Sequence, residues 1–222
     1  NGTKFNVTKA DFNATVIGQN VTVKENASFI ISVPDDFDGK VNITVDGHTY
    51  TRGLVNPVEI AKLLKGAKNA TALFYGAANY NDKEIKNILF TVTGADPTVT
   101  VRINDTTYPN KAVAEINVTD MANGTVKVII GTQVFEGTVK NGNALVNLTG
   151  LSGGVKVAEV RFTSTDDYNN NATATASFTV FRANATVQIN GIDDPTYNVG
   201  HVFEVTAITN STGVINLTVN GK

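Results

Sequence analysis

Residues 5–11 of this 222-residue chain read FNVTKAD, and nearly the same heptad returns twice. It recurs as FTVTGAD at residues 90–96 and as FTVFRAN at residues 178–184, with spacings of 85 and 88 residues. A second block, GKVNITV at residues 39–45, keeps the same step and returns as GTVKVII and GVINLTV. Because self-similarity at a fixed step indicates one structural unit repeated along a chain, the sequence predicts tandem domains of a single type.

The repeat step divides the chain into four segments. Residues 1–10 match the last strand of a preceding repeat or a linker, 11–93 a first domain, 94–181 a second, and 182–222 the first half of a third. The connections between repeats are short, which predicts limited bending there. Three strands alone leave an apolar face and unpaired edges. The half repeat is therefore expected either to fray or to share strands with a neighbouring chain, and the spacing does not choose between the two.

Apolar and polar residues alternate within each repeat. Val41, Ile43 and Val45 occupy every second position of one predicted strand, with polar residues between them. Alternation with period two is typical of half-buried antiparallel strands. Asp-Gly or Asn-Gly pairs, which favour tight hairpin turns, follow or precede these runs. In the second repeat the pattern predicts strands near residues 98–103, 112–119, 124–131, 133–139, 143–149, 154–163 and 173–181.

Seven short strands in about 86 residues are typical of an immunoglobulin-like sandwich. We therefore expect an all-β chain of tandem immunoglobulin-like antiparallel β-sandwiches, each with about seven strands. Residues 55–68 carry apolar residues at helical spacing, but the aligned segment of the second repeat contains glycines. This comparison argues against a long helix and leaves room for one helical turn around residues 61–65.

The composition excludes several classes of function. The chain has no cysteine and no tryptophan, so disulfides, thiol chemistry and Cys/His zinc sites are ruled out. A net charge of −2 provides no general attraction for nucleic acid. The two histidines, His48 and His201, stand at non-equivalent positions of the repeat and are expected to be surface residues. Since the sequence also has no G-x-S-x-G motif and no Gly-rich phosphate loop, we expect no enzyme and no resident cofactor. No apolar stretch approaches the length of a membrane span.

The repeat resembles bacterial Ig-like (Big) domains, in the form carried by the adhesin-like surface proteins of methanogenic archaea. The features that carry the resemblance are the G-x-V-x-V-x-[VI] block with its hairpin turn, LSGG at 151–154, FTSTDDYN at 162–169 and SFTV at 177–180. The resemblance covers essentially the whole chain. It implies an extracellular, cell-surface stalk whose spacer domains present a distal binding region, with a surface glycan or protein as partner.

A second class of function is a binding module. A repeat could itself bind a carbohydrate or a protein through its loops or a sheet edge. The absence of tryptophan and the scattered tyrosines lower the expectation for carbohydrate, since such modules usually present aromatic platforms.

Asn-x-Ser/Thr sequons are the first candidate sites. The 27 asparagines include fifteen in sequons, whereas independent placement would give about four. Alternation of Asn and Thr on one polar strand face explains part of this excess. We predict that some sequons are glycosylated in the native host. The sequon asparagines are Asn1, Asn6, Asn13, Asn20, Asn26, Asn42, Asn69, Asn104, Asn117, Asn123, Asn147, Asn171, Asn184, Asn210 and Asn216.

Paired aspartates are the second candidate, as calcium ligands. Calcium takes six to eight oxygen ligands, and loop carboxylates supply several. The alternative is that these aspartates are solvated turn residues, because Asp bonds readily to its own backbone. No D-x-D-x-D-G loop is present. The residues are Asp35, Asp36, Asp38, Asp166, Asp167, Asp193 and Asp194.

Lys68 and Lys156 are the third candidate, because each lies in the inward parity of a predicted strand. A buried lysine needs a partner. The resemblance to cysteine-free surface domains makes both lysines candidates for an isopeptide crosslink to an asparagine, with an acid nearby. Asp35 and Asp120 occupy equivalent positions that supply such an acid. The alternative is a lysine at a strand end whose head group reaches water.

Overall fold

The computed structural model describes residues 3–190, 204–208 and 213–218. These residues form strands, turns and loops, and none of them is helical. The chain divides into two compact units. The first contains the described residues up to Thr98 together with 122–124 and 163–172, and the second contains Val99–Met121, Thr125–Phe162 and the described residues from Thr173 onward.

The first sandwich has eight strands in two sheets. One sheet has the order β1-β3-β6 and the other the order β2-β8-β7-β4-β5. The strand pairings of these two sheets are antiparallel except that of β2 with β8. The strands are β1 (Thr15–Gly18), β2 (Val21–Thr22), β3 (Ser28–Ser32), β4 (Lys40–Val45), β5 (His48–Arg52), β6 (Val58–Glu59), β7 (Gly66–Tyr75) and β8 (Lys83–Thr93).

The second sandwich repeats this plan. Its sheets have the orders β14-β11-β9 and β10-β16-β15-β12-β13, and β10 pairs with β16 in parallel. The strands are β9 (Val99–Ile103), β10 (Thr106–Thr107), β11 (Ala112–Val118), β12 (Gly124–Ile130), β13 (Gln133–Val139), β14 (Asn143–Leu148), β15 (Gly154–Ser164) and β16 (Ala172–Phe181). The fold is a tandem immunoglobulin-like β-sandwich. The predicted fold class is confirmed, and the seven predicted strands of this repeat match the observed bounds within one residue.

Each sandwich closes over its own apolar core. In the first, Phe29, Ile43 and Phe74 are fully buried. Phe12 packs against Phe37 with ring centroids 4.8 Å apart and meets Phe74 edge-on at 6.0 Å. In the second, the fully buried side chains include Val126, Val128, Leu148 and Phe162. The alternating pattern therefore predicted which residues face inward, because each strand has one face in the core.

The helical turn left open around residues 61–65 does not form. Beyond β6 the chain stays extended, because Ile60 N–H donates to Ala27 O at 3.0 Å and Ala27 N–H donates to Ala61 O at 3.1 Å. Leu63 is buried in the core. Backbone pairing with a neighbouring segment thus outweighs the helical spacing of the apolar residues.

The strand β6 is short, and a side chain takes over part of its role. The Asn56 Oδ1 atom accepts the Ile31 N–H at 3.1 Å, and its Nδ2 donates to Ile31 O at 3.0 Å. One amide side chain therefore pairs with both backbone groups of Ile31 in β3, as a neighbouring strand would.

The third repeat contributes a two-stranded antiparallel sheet within the described residues. Strand β17 (Thr186–Asn190) pairs with β18 (Glu204–Ile208), with Val187 opposite Ala207. Val187 and Ile189 are each more than half exposed. Whether this repeat frays or shares strands with another chain stays a prediction. No helix long and apolar enough to cross a membrane occurs among the residues that the structure describes.

Replacing Phe162 with Ala is expected to lower the unfolding free energy of the second sandwich by about 2–5 kcal/mol, because it leaves a cavity in the core. Ile116→Ala should fall in the same range. Urea unfolding followed by circular dichroism measures the change. The matched control is Leu145→Ala, since Leu145 is 73% exposed. An equal loss in the control would contradict this assignment of the core.

Candidate functional site

A short parallel pair joins the second and last strands of the first sandwich. In β2 and β8, Val21 lies opposite Val92 and Thr22 opposite Thr93. The Val23 N–H donates to Thr93 O at 2.9 Å, which extends the pairing by one residue. Just before β2, Asn20 Oδ1 accepts the Thr91 N–H at 2.8 Å.

The second sandwich builds the same device from different side chains. Thr106 lies opposite Val180, and the Tyr108 N–H donates to Phe181 O at 2.9 Å. Here Asp105 Oδ1 accepts the Thr179 N–H at 2.6 Å. Asp105 follows Asn20 by 85 residues and Thr179 follows Thr91 by 88, which are the steps of the sequence repeat. We call these two arrangements the parallel clamps.

The sequence pattern missed β2 and β10 because two residues are too short to show an alternation. The repeat step itself was the available signal, since Asn20 and Asp105 are both side chains with a carbonyl-type oxygen at the same place in the repeat. Such a residue beside a strand end can accept a backbone N–H that would otherwise lack a partner.

A second recurring contact joins the segment that enters a repeat to a later loop. The Ala10 N–H donates to Asn79 O and the Asn81 N–H donates to Ala10 O, both at 2.9 Å. The Asn81 Nδ2 also donates to Asp11 Oδ1 at 2.8 Å. These bonds fix the start of the first repeat, and we call the arrangement a loop clasp.

The other loop clasp lies in the same compact unit. Here the Ala95 N–H donates to Tyr168 O, the Asn170 N–H donates to Ala95 O, and Asn170 Nδ2 donates to Asp96 Oδ1, each at 2.8 Å. A Cβ atom on Gly94 would clash with the Asn170 side chain and lie 3.0 Å from Tyr168 O, so a larger residue here would require the Asn170 side chain to shift. By the repeat step of 88 residues, Tyr80 corresponds to Tyr168. In the clasps, however, Ala10 pairs with Tyr80, whereas Ala95 pairs with Asn169. The second loop therefore contains one more residue before the clasp.

Asp166 organises the second of these loops. Its Oδ1 accepts the N–H groups of Tyr168 at 3.0 Å and Asn169 at 2.6 Å, and its Oδ2 accepts the Asn123 N–H at 2.9 Å and Asn169 Nδ2 at 3.2 Å. Partial burial opposes ionisation, but these four donors together hold the pKa of the Asp166 carboxyl well below its usual range. Both oxygens are thus occupied by N–H donors, which would compete with a calcium ion.

Asn169 is the buried polar residue of this loop, with 1% of its surface exposed. The Lys65 Nζ donates to its backbone oxygen, and the Lys65 N–H donates to Asp167 O at 3.0 Å. Its side-chain Oδ1 is buried without a protein hydrogen-bond partner. A buried amide oxygen of this kind is a place where an ordered water could sit.

The other predicted calcium ligands also serve local contacts. Asp36 Oδ1 accepts the Tyr80 hydroxyl at 2.7 Å, and this bond raises the pKa of Tyr80. Asp38 Oδ1 accepts the Ala78 N–H at 2.9 Å, while Asp35 is exposed. Within the described ranges, no three His, Cys, Asp or Glu side chains come together to hold a metal. Asp193 and Asp194 lie outside the described residues, and calcium binding stays a prediction.

The two lysines find separate partners. Lys68 Nζ forms an ion pair with Asp46 Oδ2 at 2.7 Å, and 8% of its side chain is exposed. Lys156 Nζ donates to Ser152 Oγ at 3.1 Å. These partners differ from Asp35 and Asp120, the acids considered for a crosslink. The crosslink stays a prediction.

The sequon asparagines are accessible. Those within the described residues are exposed, except Asn42, which is half-buried on β4. Asn42 and Asn69 lie on the five-stranded sheet of the first sandwich, and Asn117 and Asn147 on the three-stranded sheet of the second. Asn1 and Asn210 lie outside the described residues. Glycosylation stays a prediction that this exposure permits.

A groove lies on the outer face of the three-stranded sheet of the second sandwich. It encloses about 710 Å³ and is open to solvent. Arg102 and Glu115 lie opposite each other on its floor, beside Asn117, whose Nδ2 donates to Asn143 Oδ1 at 3.2 Å. Leu145, largely exposed, adds an apolar wall. Sequence reasoning missed this groove because its residues read as ordinary outward positions of three strands.

Comparisons with known proteins give no family for this chain. No family model matches the sequence, and no curated protein matches it. The solved structures similar to it include fibronectin(III)-like modules of Clostridium thermocellum CbhA, with 15% identity and a TM-score of 0.33 over 77% of this chain and 95% of that one. An amphioxus IgVJ-C2 molecule matches with 13% identity and a TM-score of 0.38 over 78% of this chain and 100% of the other.

A third similar structure is Bacteroides ovatus SGBP-B, from a mixed-linkage glucan utilization locus, in complex with a mixed-linkage heptasaccharide. It has 17% identity and a TM-score of 0.29 over 72% of this chain, which spans 42% of that protein. At these values none of the three says what this chain binds.

Replacing Asp166 with Ala should release the loop, because it removes the acceptors of several N–H groups. Amide exchange at Tyr168 and Asn169 is expected to rise about tenfold, as for the loss of about 1.4 kcal/mol. Hydrogen exchange with mass spectrometry measures this. Asp167→Ala is the matched control, because Asp167 contributes only its backbone oxygen to the contacts described above. Equal exchange in both variants would show that Asp166 does not organise the loop.

Acid should have the same effect as that substitution. A carboxyl whose pKa is lowered by folding stabilises the folded state above its unfolded pKa, about 3.9, and this stability is lost as the pH falls further. Below about pH 4, exchange of the Tyr168 amide in the unsubstituted chain should therefore become faster relative to the intrinsic rate of an unprotected amide at the same pH. In Asp166→Ala this additional acceleration should be absent.

Proposed function

We propose that this chain is a load-bearing spacer from an extracellular, cell-surface adhesin-like protein, in which tandem Ig-like domains hold a distal binding region away from the surface. The parallel clamps carry this proposal. The proposal involves no catalytic step, cofactor, nucleic acid or membrane span in this part of the chain. The resemblance to Big repeats of methanogen surface proteins points the same way.

The direction of the clamped strands is the physical reason why a clamp would resist tension. In each clamp the second strand of the sandwich runs parallel to the last one, so tension on the two ends pulls them in opposite directions along their shared axis. The hydrogen bonds between them are then loaded together in shear. An antiparallel pair joined at one end would instead open one bond at a time. A domain that must stay folded under tension therefore gains from the arrangement seen at β2–β8 and β10–β16.

The recurrence of the clamp supports a selected role. Asn20 and Asp105 differ chemically, yet both place an Oδ1 atom on the N–H of a threonine in the last strand. An incidental contact need not survive a change of side chain at the same step of the repeat. The exposed sequons suit the same role, because glycans would add a solvated coat to a stalk.

Asp105→Ala should lower the force at which the second sandwich unfolds. The Thr179 N–H loses its acceptor, so one of the bonds loaded in shear is missing. Pulling single chains by their ends in an atomic force microscope measures this, with each unfolding event extending the chain by roughly 300 Å, the length of about 80 extended residues. Asn20→Ala should do the same to the first sandwich.

The control is Asn147→Ala, on the exposed side of β14 and away from both clamps. It should leave both unfolding forces unchanged. If Asp105→Ala and Asn147→Ala lower the force equally, or neither does, the load-bearing role of the clamp is wrong.

A second candidate function is that of a carbohydrate-binding module, and the groove of the second sandwich favours it. Planar polar side chains, Arg102, Glu115 and Asn117, share this surface with the apolar Leu145. Small-ligand sites typically combine hydrogen-bonding groups with apolar contacts in this way. Asn117 is also a sequon asparagine, so its own glycan would compete for the groove.

A binding assay separates the two functions. The unglycosylated chain is applied to a glycan array and to whole microbial cells, with and without calcium. Saturable binding that Arg102→Ala abolishes and Leu89→Ala leaves intact would establish the groove as a carbohydrate site. Absence of binding in every condition would count against this candidate and leave the spacer function standing. Binding that requires calcium would support the prediction that the paired aspartates are calcium ligands.

A further inference from the structure

One outer sheet face of the second sandwich differs from the others in its chemistry. It belongs to the sheet β10-β16-β15-β12-β13. Val134, Val155 and Val157 are exposed there by 53%, 74% and 60%. We call it the valine face, and define it by these three residues together with Lys127, Glu136, Glu159 and Arg161.

The valine face also lacks asparagine, which is frequent in the rest of the chain. None of its five strands contains an asparagine, in a sequence with 27 of them, so no sequon lies on it. The corresponding sheet of the first sandwich carries sequons at Asn42 and Asn69. By the repeat steps of 85 and 88 residues, these positions become Lys127 and Val157. A face that glycans would cover in one repeat is thus free of attachment points in the next.

The charges on the valine face are balanced. Lys127 Nζ lies 3.2 Å from Glu136 Oε1, and Arg161 Nε lies 2.6 Å from Glu159 Oε1. Two cations and two anions beside exposed valines give the valine face no net charge, so a second copy of this face is not repelled by it. In a twofold contact the same patch meets itself, so each cation can face an anion of the other chain.

We propose that the valine face binds the valine face of a second chain of this protein, in a twofold symmetric dimer. The four longer strands of this sheet, β12, β13, β15 and β16, lie about 4.8 Å apart, and each contributes about seven residues of about 3.3 Å to the contact area. This area is roughly 450 Å² per chain. The total of roughly 900 Å² lies below the range of about 1,200–2,000 Å² for stable specific interfaces and within that of weak, transient contacts. The dimer is therefore weak, with a dissociation constant of about 10–500 µM. This contact does not depend on the load-bearing role proposed above.

The test is sedimentation equilibrium of the unglycosylated full chain over about 10–500 µM, a range that brackets a weak dimer. A monomer–dimer equilibrium is expected. The double variant Val157→Asn, Glu159→Thr should raise the dissociation constant at least about tenfold, because each dimer loses two valines and two carboxylates. This variant reproduces the Asn-Ala-Thr of residues 69–71 at the matching strand position, so the fold accommodates it. Glu159→Thr alone separates the charge from the valine.

The control is Leu89→Asn, which removes an exposed apolar side chain from the first sandwich. It should change the dissociation constant less than about twofold. A chain that stays monomeric at about 500 µM overturns the proposal. So does a dimer that persists in the double variant. If such a dimer is lost in Val187→Ser, Ile189→Ser, the exposed β17–β18 sheet is the interface instead.

Discussion

Contact between two apolar sheet faces is the interaction on which everything else in this chain depends. Each sandwich has fewer than 100 residues and no disulfide, so its stability rests on side chains such as Phe29 or Phe162 being enclosed between the sheets. The loops and outer faces stabilise the fold less, and they are free to vary between repeats. That freedom explains how two sandwiches with the same core plan carry sequons on the five-stranded sheet of the first repeat and a sequon-free valine face on the corresponding sheet of the second.

Sequence reasoning predicted those parts of the fold that follow from periodicity. Alternation gave the strands and the inward residues, and the repeat step gave the succession of domains. The short strands β2 and β10 were missed because pairing with a distant strand, rather than local pattern, defines them. The one helical turn left open around residues 61–65 does not form for the same reason, since Ala27 pairs with that segment across the sheet. Long-range backbone pairing is the information that a local pattern lacks.

The candidate sites show the same division. Composition and spacing identified the polar residues, but not which groups they would meet. Asp166 was considered as a calcium ligand, and the structure surrounds it with N–H donors that stabilise a loop. Lys68 was correctly assigned to the inward side of its strand. Its partner Asp46 lies 22 residues earlier on a hairpin turn, and no sequence pattern indicated this contact. The groove was missed because it depends on the neighbourhood of three strands.

The side chain of Asn56 affects how strands of neighbouring molecules can pair with this chain at high local concentration. By satisfying both backbone groups of Ile31, it leaves no free template on β3 for a strand of another molecule. At high local concentration an open backbone edge of a strand invites cross-chain sheet growth. A single amide thus closes this stretch of β3 to cross-chain pairing, and β1 and β5 remain edge strands of the two sheets.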